Sequence, residues 1–226
     1  MTERYRSPAD LPAILPVFPL RGAILLPRAT LTLNVFEARY LDLVDYVLGH
    51  GRLIAMVQPS AESGGRESPP GKTVPLREIG CAGRIASFSE EEEEGRLLIS
   101  IDGIARFRLE EEVTSEHAFR LWRVDYQPFT TDFCTGFEEE RVDRPRLLAA
   151  LRNYLKARQL STDWEGVERT GNERLINALS ILSPFGPEEK QALLEAADLK
   201  SRAEALIALA EMEIAGQGRE RGTPLQ

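Results

Sequence analysis

Long hydrophobic runs are missing from this chain of 226 residues. No stretch approaches the ~18–20 consecutive apolar residues that a bilayer-spanning helix needs. The N-terminal MTERYRSPADLP has no apolar core of the kind that marks a secretory signal. Cysteine is nearly absent, with Cys81 and Cys134 alone and far apart. That excludes a disulfide scaffold and suits free thiols in a reducing compartment, so a cytoplasmic protein is expected. Histidine is as scarce, and His50, His117 and the two cysteines have no metal-ligand spacing. Neither a metal nor a cofactor is expected. Lysine is rare and no basic run occurs. With 28 basic against 36 acidic residues the formal charge is −8, which repels phosphate backbones and disfavours nucleic-acid binding.

What is present is an ordinary globular composition, 42% hydrophobic and 28% charged, long enough for one large domain or two small ones. The organising stretch is residues 15–48. Thr30 to Val35 alternates: Leu31, Leu33 and Val35 point one way, Thr30, Thr32 and Asn34 the other, the pattern of a half-buried strand. From Phe36 the period becomes helical, with Phe36, Tyr40, Leu43, Val44 and Val47 on one face and Gly49 as C-cap. Pro16, Pro19 and Pro27 each remove a ladder donor, so the first strand is expected at a sheet edge or interrupted.

Residues 1–12 read as a polar, mobile lead-in. Residues 52–58 read as a buried strand, followed by a Ser-, Gly- and Pro-rich surface loop. Residues 79–89 and the stretch after Gly95 read as a long hairpin whose tip carries the acidic run Glu90–Glu94. Asp102 and Gly103 signal a turn, after which Ala105, Phe107 and Leu109 alternate with charged residues. Residues 119–126 give a further strand, with Trp122, Val124 and Tyr126 on one face. About six strands at this spacing suit a compact barrel or sandwich. Beyond Pro128 the pattern changes to a linker with turn formers, and then to helices. Asp143 and Pro145 open a helix running to about Gln159, and Asn172 to Leu182 forms another. Pro187 starts a third. Thr162 with Glu165, and Ser201 with Glu204, fit capping boxes. The expected class is α+β: a β lobe over 12–127, a linker over 128–142 and a helical lobe over 143–215.

Two segments carry a resemblance. Leu15–Leu20, Pro27, Leu31, Leu33, Phe36, Glu37, Arg39 and Tyr40 form an LPVFPL segment followed by a P-x-x-x-L-x-L-x-V/I-F-E-x-R-Y segment. Lys190, Gln191, Leu193, Leu194, Glu195, Asp198, Arg202 and Leu206 form K-Q-x-L-L-E followed by D-x-x-x-R-x-x-x-L. Both, in this order and at this separation, resemble the N-terminal, substrate-binding domain of Lon protease over roughly residues 14–214. The resemblance implies a six-stranded PUA-like pseudo-β-barrel with a packed helix, then a C-terminal α-helical bundle. It also implies a stand-alone form without ATPase and peptidase domains, with no catalytic residue to carry over.

The chemistry within the chain agrees. Gly71, Lys72 and Thr73 end like a phosphate-binding loop, but Arg66 stands where the first glycine belongs and Pro69 and Pro70 remove backbone donors. His50 and His117 read as solvated turn residues. Glu90–Glu94 reads as a solvated hairpin tip. Two sets of apolar residues are candidate partner-binding positions. Phe129, Phe133 and Phe137 recur every four residues in the polar linker and either form a contact surface or pin the linker between the lobes. Pro16, Phe18 and Leu25 lie near the expected edge strand, where an extended peptide could add, or else belong to the core. The expected function is a non-catalytic binding module for unfolded or exposed protein segments, acting with a protease in trans or as an adaptor. The alternatives are a peptidase, and an RNA binder by fold analogy.

Overall fold

The computed structural model describes residues 5–60, 74–91 and 96–220. Strands β1 (Ile14–Pro19) and β2 (Thr30–Val35) precede helix α1 (Ala38–Gly49). Strands β3 (Leu53–Val57), β4 (Ile79–Glu91), β5 (Arg96–Val113) and β6 (Arg120–Asp125) follow. Among the described residues five α-helices follow: α2 (Arg144–Arg158), α3 (Trp164–Arg169), α4 (Asn172–Leu182), α5 (Pro187–Glu195) and α6 (Leu199–Glu220). The class is α+β, as expected. The phosphate-loop mimic at 71–73 and residues 92–94 of the acidic run lie outside the described residues.

The sheet order is β2–β5–β4–β3–β1–β6, and β6 also pairs with β5. That last pairing closes a ring through β5, β4, β3, β1 and β6. Strand β5 makes closure possible because it is 18 residues long. Along one side it pairs with β4; along the other it pairs with β2 over 97–102 and with β6 over 108–113. Among the described residues strand β2 is therefore paired on one side only.

The first strand is not an edge. It lies between β3, in parallel, and β6, antiparallel. Its prolines are accommodated by stagger. The amide of Val124 donates to Ala13 C=O, so residues 13, 15 and 17 face β6 and residues 16 and 18 face β3. The β3 ladder starts only at Val17, one residue after Pro16. The β6 ladder ends at Val17, before Pro19. Each missing N–H falls just beyond the ladder it would have joined.

The expected turn at Asp102 and Gly103 is also absent: β5 runs straight through. Glycine is needed there because the chain at 25–29 crosses against the strand. A Cβ on Gly103 would lie 2.0 Å from Leu26 C=O, and Arg28 N–H donates to Gly103 C=O at 2.9 Å. Helix ends differ in detail from expectation. Phe36 is 63% exposed and precedes α1. Gly49 is the last helical residue, with His50 as cap and Gly51 at positive φ. At α6 the cap is Asp198, whose carboxylate accepts from Ser201 N–H at 2.7 Å, not Ser201 itself. At α2 Asp143 caps and the helix ends beside Gln159, as the spacing predicts, with Gln159 itself in the left-handed region. The lead-in is partly anchored: Leu11 is buried, and the Tyr126 hydroxyl donates to Pro12 C=O.

Two apolar clusters hold the molecule. Leu15, Val17, Ala55, Val57, Ala82, Phe107 and Val124 come from all five ring strands and fill the ring. The opposite faces of the same strands, with Phe18, Ile54, Met56 and Ile85, join Leu43, Val44 and Val47 of α1. That second cluster continues without a break into Leu147, Ile176, Leu193, Leu194 and Ile207 of the helices. Strands and helices thus share one core, and each fully buried Leu or Ile in it contributes about 1.5–3 kcal/mol.

Candidate functional site

The junction between strands and helices is built from polar groups as well as apolar ones. Arg106 of β5 is 2% exposed and pairs with buried Asp132 in the turn Gln127–Phe133. Its Nε and Nη2 donate to the two carboxylate oxygens at 2.9 and 2.8 Å, and its own N–H donates to Oδ2 at 2.9 Å. Its Nη1 donates to Leu194 and Ala196 C=O, at the end of α5. One side chain therefore ties strand, turn and helix together. Around it, Arg28 Nη1 donates to Asp132 C=O and its Nη2 to Glu173 of α4. Asn177 Nδ2 donates to Pro27 C=O, and Gln58 Nε2 to Pro187 C=O at 2.9 Å. Arg202 of α6 donates to Leu193 C=O and to Asn177 Oδ1. Burial pushes the Arg202 guanidinium down to about 10, and the like charge of Arg106 pushes the same way. Burial drives the Cys81 thiol far above the usual thiol range, and the nearby Asp132 carboxylate adds to this. Such a thiol is an inert packing group.

The aromatic residues expected to form one surface are divided. Phe129 lies over the Arg106 guanidinium, 4.6 Å from ring centre to Cζ. Phe133 packs edge-on near Tyr126 against the ring interior. Phe137 is 46% exposed. Phe18 stacks on Tyr40 with ring centres 4.4 Å apart, and Leu25 is fully buried. Pro16 is buried too. A partner reaching Phe18 or Leu25 would have to open the shared core. His50 and His117 are exposed, as expected, yet the fold brings them together through aromatic rings. His50 stacks on Tyr46 at 4.1 Å, and His117 on Phe119 at 4.7 Å and beside Tyr46 at 4.7 Å.

The open side of the sheet runs along β2. Among the described residues β5 is the only strand that pairs with it. Its Thr30 end meets a polar cleft of about 400 Å³ lined by Arg28, Asp102, Thr135, Glu139, Glu173 and Arg174. Most charges there are committed. Arg28 pairs with Glu173, Asp102 accepts from the Thr30 hydroxyl at 2.7 Å, and Glu139 accepts from Glu173 N–H. Arg174 is exposed and has no ion pair among the described residues. Its other end carries exposed Phe36, and in register across the sheet Leu33, Ile99 and Phe88 form an apolar row, Phe88 being 46% exposed. Periodicity located β2 but could not show that its outer side stays open. A second, apolar notch between α2, α4 and α6 has room for about one water molecule, 20 Å³, beside the unpartnered Tyr154 hydroxyl. Among the described residues no group of three or more His, Cys, Asp or Glu is placed to hold a metal. No helix there is long and apolar enough to cross a membrane.

The arrangement has known counterparts. A crystal structure of a Lon N-terminal domain protein from Xanthomonas campestris superposes with a TM-score of 0.59 at 23% identity, covering 86% of this chain and 97% of that one. The N-terminal domain of Mycobacterium avium complex Lon protease gives a TM-score of 0.64 at 16% identity, covering 88% and 98%. These likenesses establish the fold. In sequence the chain is 28% identical to Lon protease 2 of Myxococcus xanthus over 213 residues and 26% identical to Lon protease of Desulfosudis oleivorans over 200. It spans about a quarter of those proteins' lengths, 24% and 23%. The family model described as the ATP-dependent protease La (LON) substrate-binding domain matches residues 14–211. This match runs from β1 into α6, and the chain belongs to the Lon substrate-binding domain family.

Proposed function

We propose that this chain is a non-catalytic module that binds exposed segments of non-native proteins and delivers them to proteolysis. The observation that carries the reading is the match of the substrate-binding family over residues 14–211. Physical chemistry supports it. Proteins marked for degradation share exposed apolar stretches and unpaired backbone, which a shallow apolar surface or an open sheet edge can recognise without sequence-specific chemistry. In this reading the strand ring is a PUA-like barrel over 12–127, residues 128–142 link it to a helical bundle over 143–215, and the module works in the cytoplasm beside a protease acting in trans. No cofactor takes part. The formal charge of −8 argues against the RNA-binding alternative.

Calorimetric titration with a denatured model protein and its native form tests the proposal. The denatured form binds and the native form does not; equal, negligible heats from both would overturn the reading. Incubation with unfolded casein, with and without ATP, tests the peptidase alternative. Casein stays intact; turnover that survives repeated purification would replace this proposal with that one.

A further inference from the structure

The polar groups of β2 are only half used. Gly103 N–H donates to Ala29 C=O at 2.8 Å, which sets the alternation along the strand. Leu31, Leu33 and Val35 therefore direct their backbone bonds into β5, and Thr30, Thr32 and Asn34 direct theirs outward. The side chains agree: at the intervening positions Thr30 reaches Asp102 and Thr32 reaches Ser100 at 3.2 Å, the close approach expected where the backbone pair is not bonded. Sheet edges are normally protected by charge, proline, bulge or cover. Between Thr30 and Val35 there is no charge and no proline, and the β2–β5 register is unbroken. No described element other than β5 pairs along it.

We infer that the outer edge of β2 receives an extended segment of a non-native polypeptide as a seventh strand, antiparallel to β2, with an acidic side chain following the paired residues. This rests on the function proposed above and names the mode of capture. Charge selects the occupant. The edge itself is neutral, so the paired run is uncharged. An antiparallel guest brings its C-terminal side to the Thr30 end, where the cleft offers the uncommitted guanidinium of Arg174. Alternate guest side chains fall beside the half-buried Leu33 of β2 and near the exposed Phe36. Main-chain bonds supply affinity without reading sequence, and Leu33 and Phe36 favour β-branched or aromatic residues at alternate positions.

The test uses fluorescence anisotropy with a labelled peptide whose core is Thr-Val-Thr-Ile-Thr-Val followed by Glu. Three companions are used: one with Lys for Glu, one N-methylated at alternate core amides, and the denatured model protein. The expected result is binding of the Glu peptide, with a loss of about tenfold or more on N-methylation. Thr32→Pro removes one outward donor and blocks pairing, and it produces a similar loss. Arg174→Glu reverses the preference between the Glu and Lys peptides. The N-methylated peptide keeps the test independent of any variant's folding. Equal binding of the plain and N-methylated peptides would overturn the inference. So would a wild-type dimer in sedimentation that Thr32→Pro splits while peptide binding persists, because the edge then holds a second copy. Unchanged capture of denatured protein by Thr32→Pro removes the edge from the mechanism and leaves the proposed function standing. Peptide binding without any capture of denatured protein upholds the edge and removes that function.

Discussion

The junction around Arg106 and the outer edge of β2 treat polar groups in opposite ways. At the junction the buried Arg106 guanidinium meets a carboxylate through two bonds, with a third from its own backbone N–H, and also meets two helix-end carbonyls. At the edge a row of backbone donors and acceptors faces outward with no described partner. A buried ion pair gives little net stability over an apolar replacement but is costly to break. An exposed edge costs little where water satisfies it, yet it remains open to any chain that can pair. The difference separates what holds this fold in one arrangement from what lets it engage another molecule.

The comparison is most severely tested at Asp132. Asp132→Ala leaves Arg106 charged and unpaired in the core and is expected to cost about 3–5 kcal/mol, read as a lowered urea midpoint. Arg106→Met together with Asp132→Leu removes both charges and recovers most of that loss; no recovery would mean the bonds to α5 matter more than the pair. Proline then separates inner from outer strands. Val17→Pro removes a ladder donor that faces β6 and costs about 1–3 kcal/mol, while Thr32→Pro, facing outward, costs clearly less. Equal losses in thermal melts would show that β2 is covered. Gly103→Ala forces a Cβ against Leu26 C=O and costs about 1–3 kcal/mol by overpacking. The smallest effect concerns Asp198. Its bond from Ser201 N–H holds the carboxylate below its ordinary range. The folded pKa is depressed, so the contribution is present above pH 3.8 and is lost as pH falls through the folded value. Asp198→Ala therefore costs about 1 kcal/mol at neutral pH and nothing once the wild-type carboxyl is protonated. Paired melts at pH 7 and in strong acid measure this.

Sequence alone carried the local elements. The alternation of Thr30–Val35, the stripe of α1 from Tyr40 onward, the Asp143 cap and the limits of α4 were all legible because each depends on neighbours within a turn or a strand. The resemblance at both ends of the chain identified the family that residues 14–211 match. Candidate site residues were harder to read. Phe18 and Leu25 looked available because prolines suggested an edge, and only the stagger of two ladders shows how an inner strand tolerates Pro16 and Pro19. Phe129 and Phe133 share a spacing with Phe137, but a break in helical geometry at Phe129 turns them to different neighbours.

Periodicity and capping, then, were determined by the order of residues, since they express steric and hydrogen-bonding preferences that act over a few positions. Tertiary structure decided which strand lies outermost, which arginines are buried and which charge stays free. Those outcomes depend on pairings such as Arg106 with Asp132 and Arg28 with Glu173, far apart in the chain, and on ring closure through the length of β5. No local pattern encodes such long-range geometry.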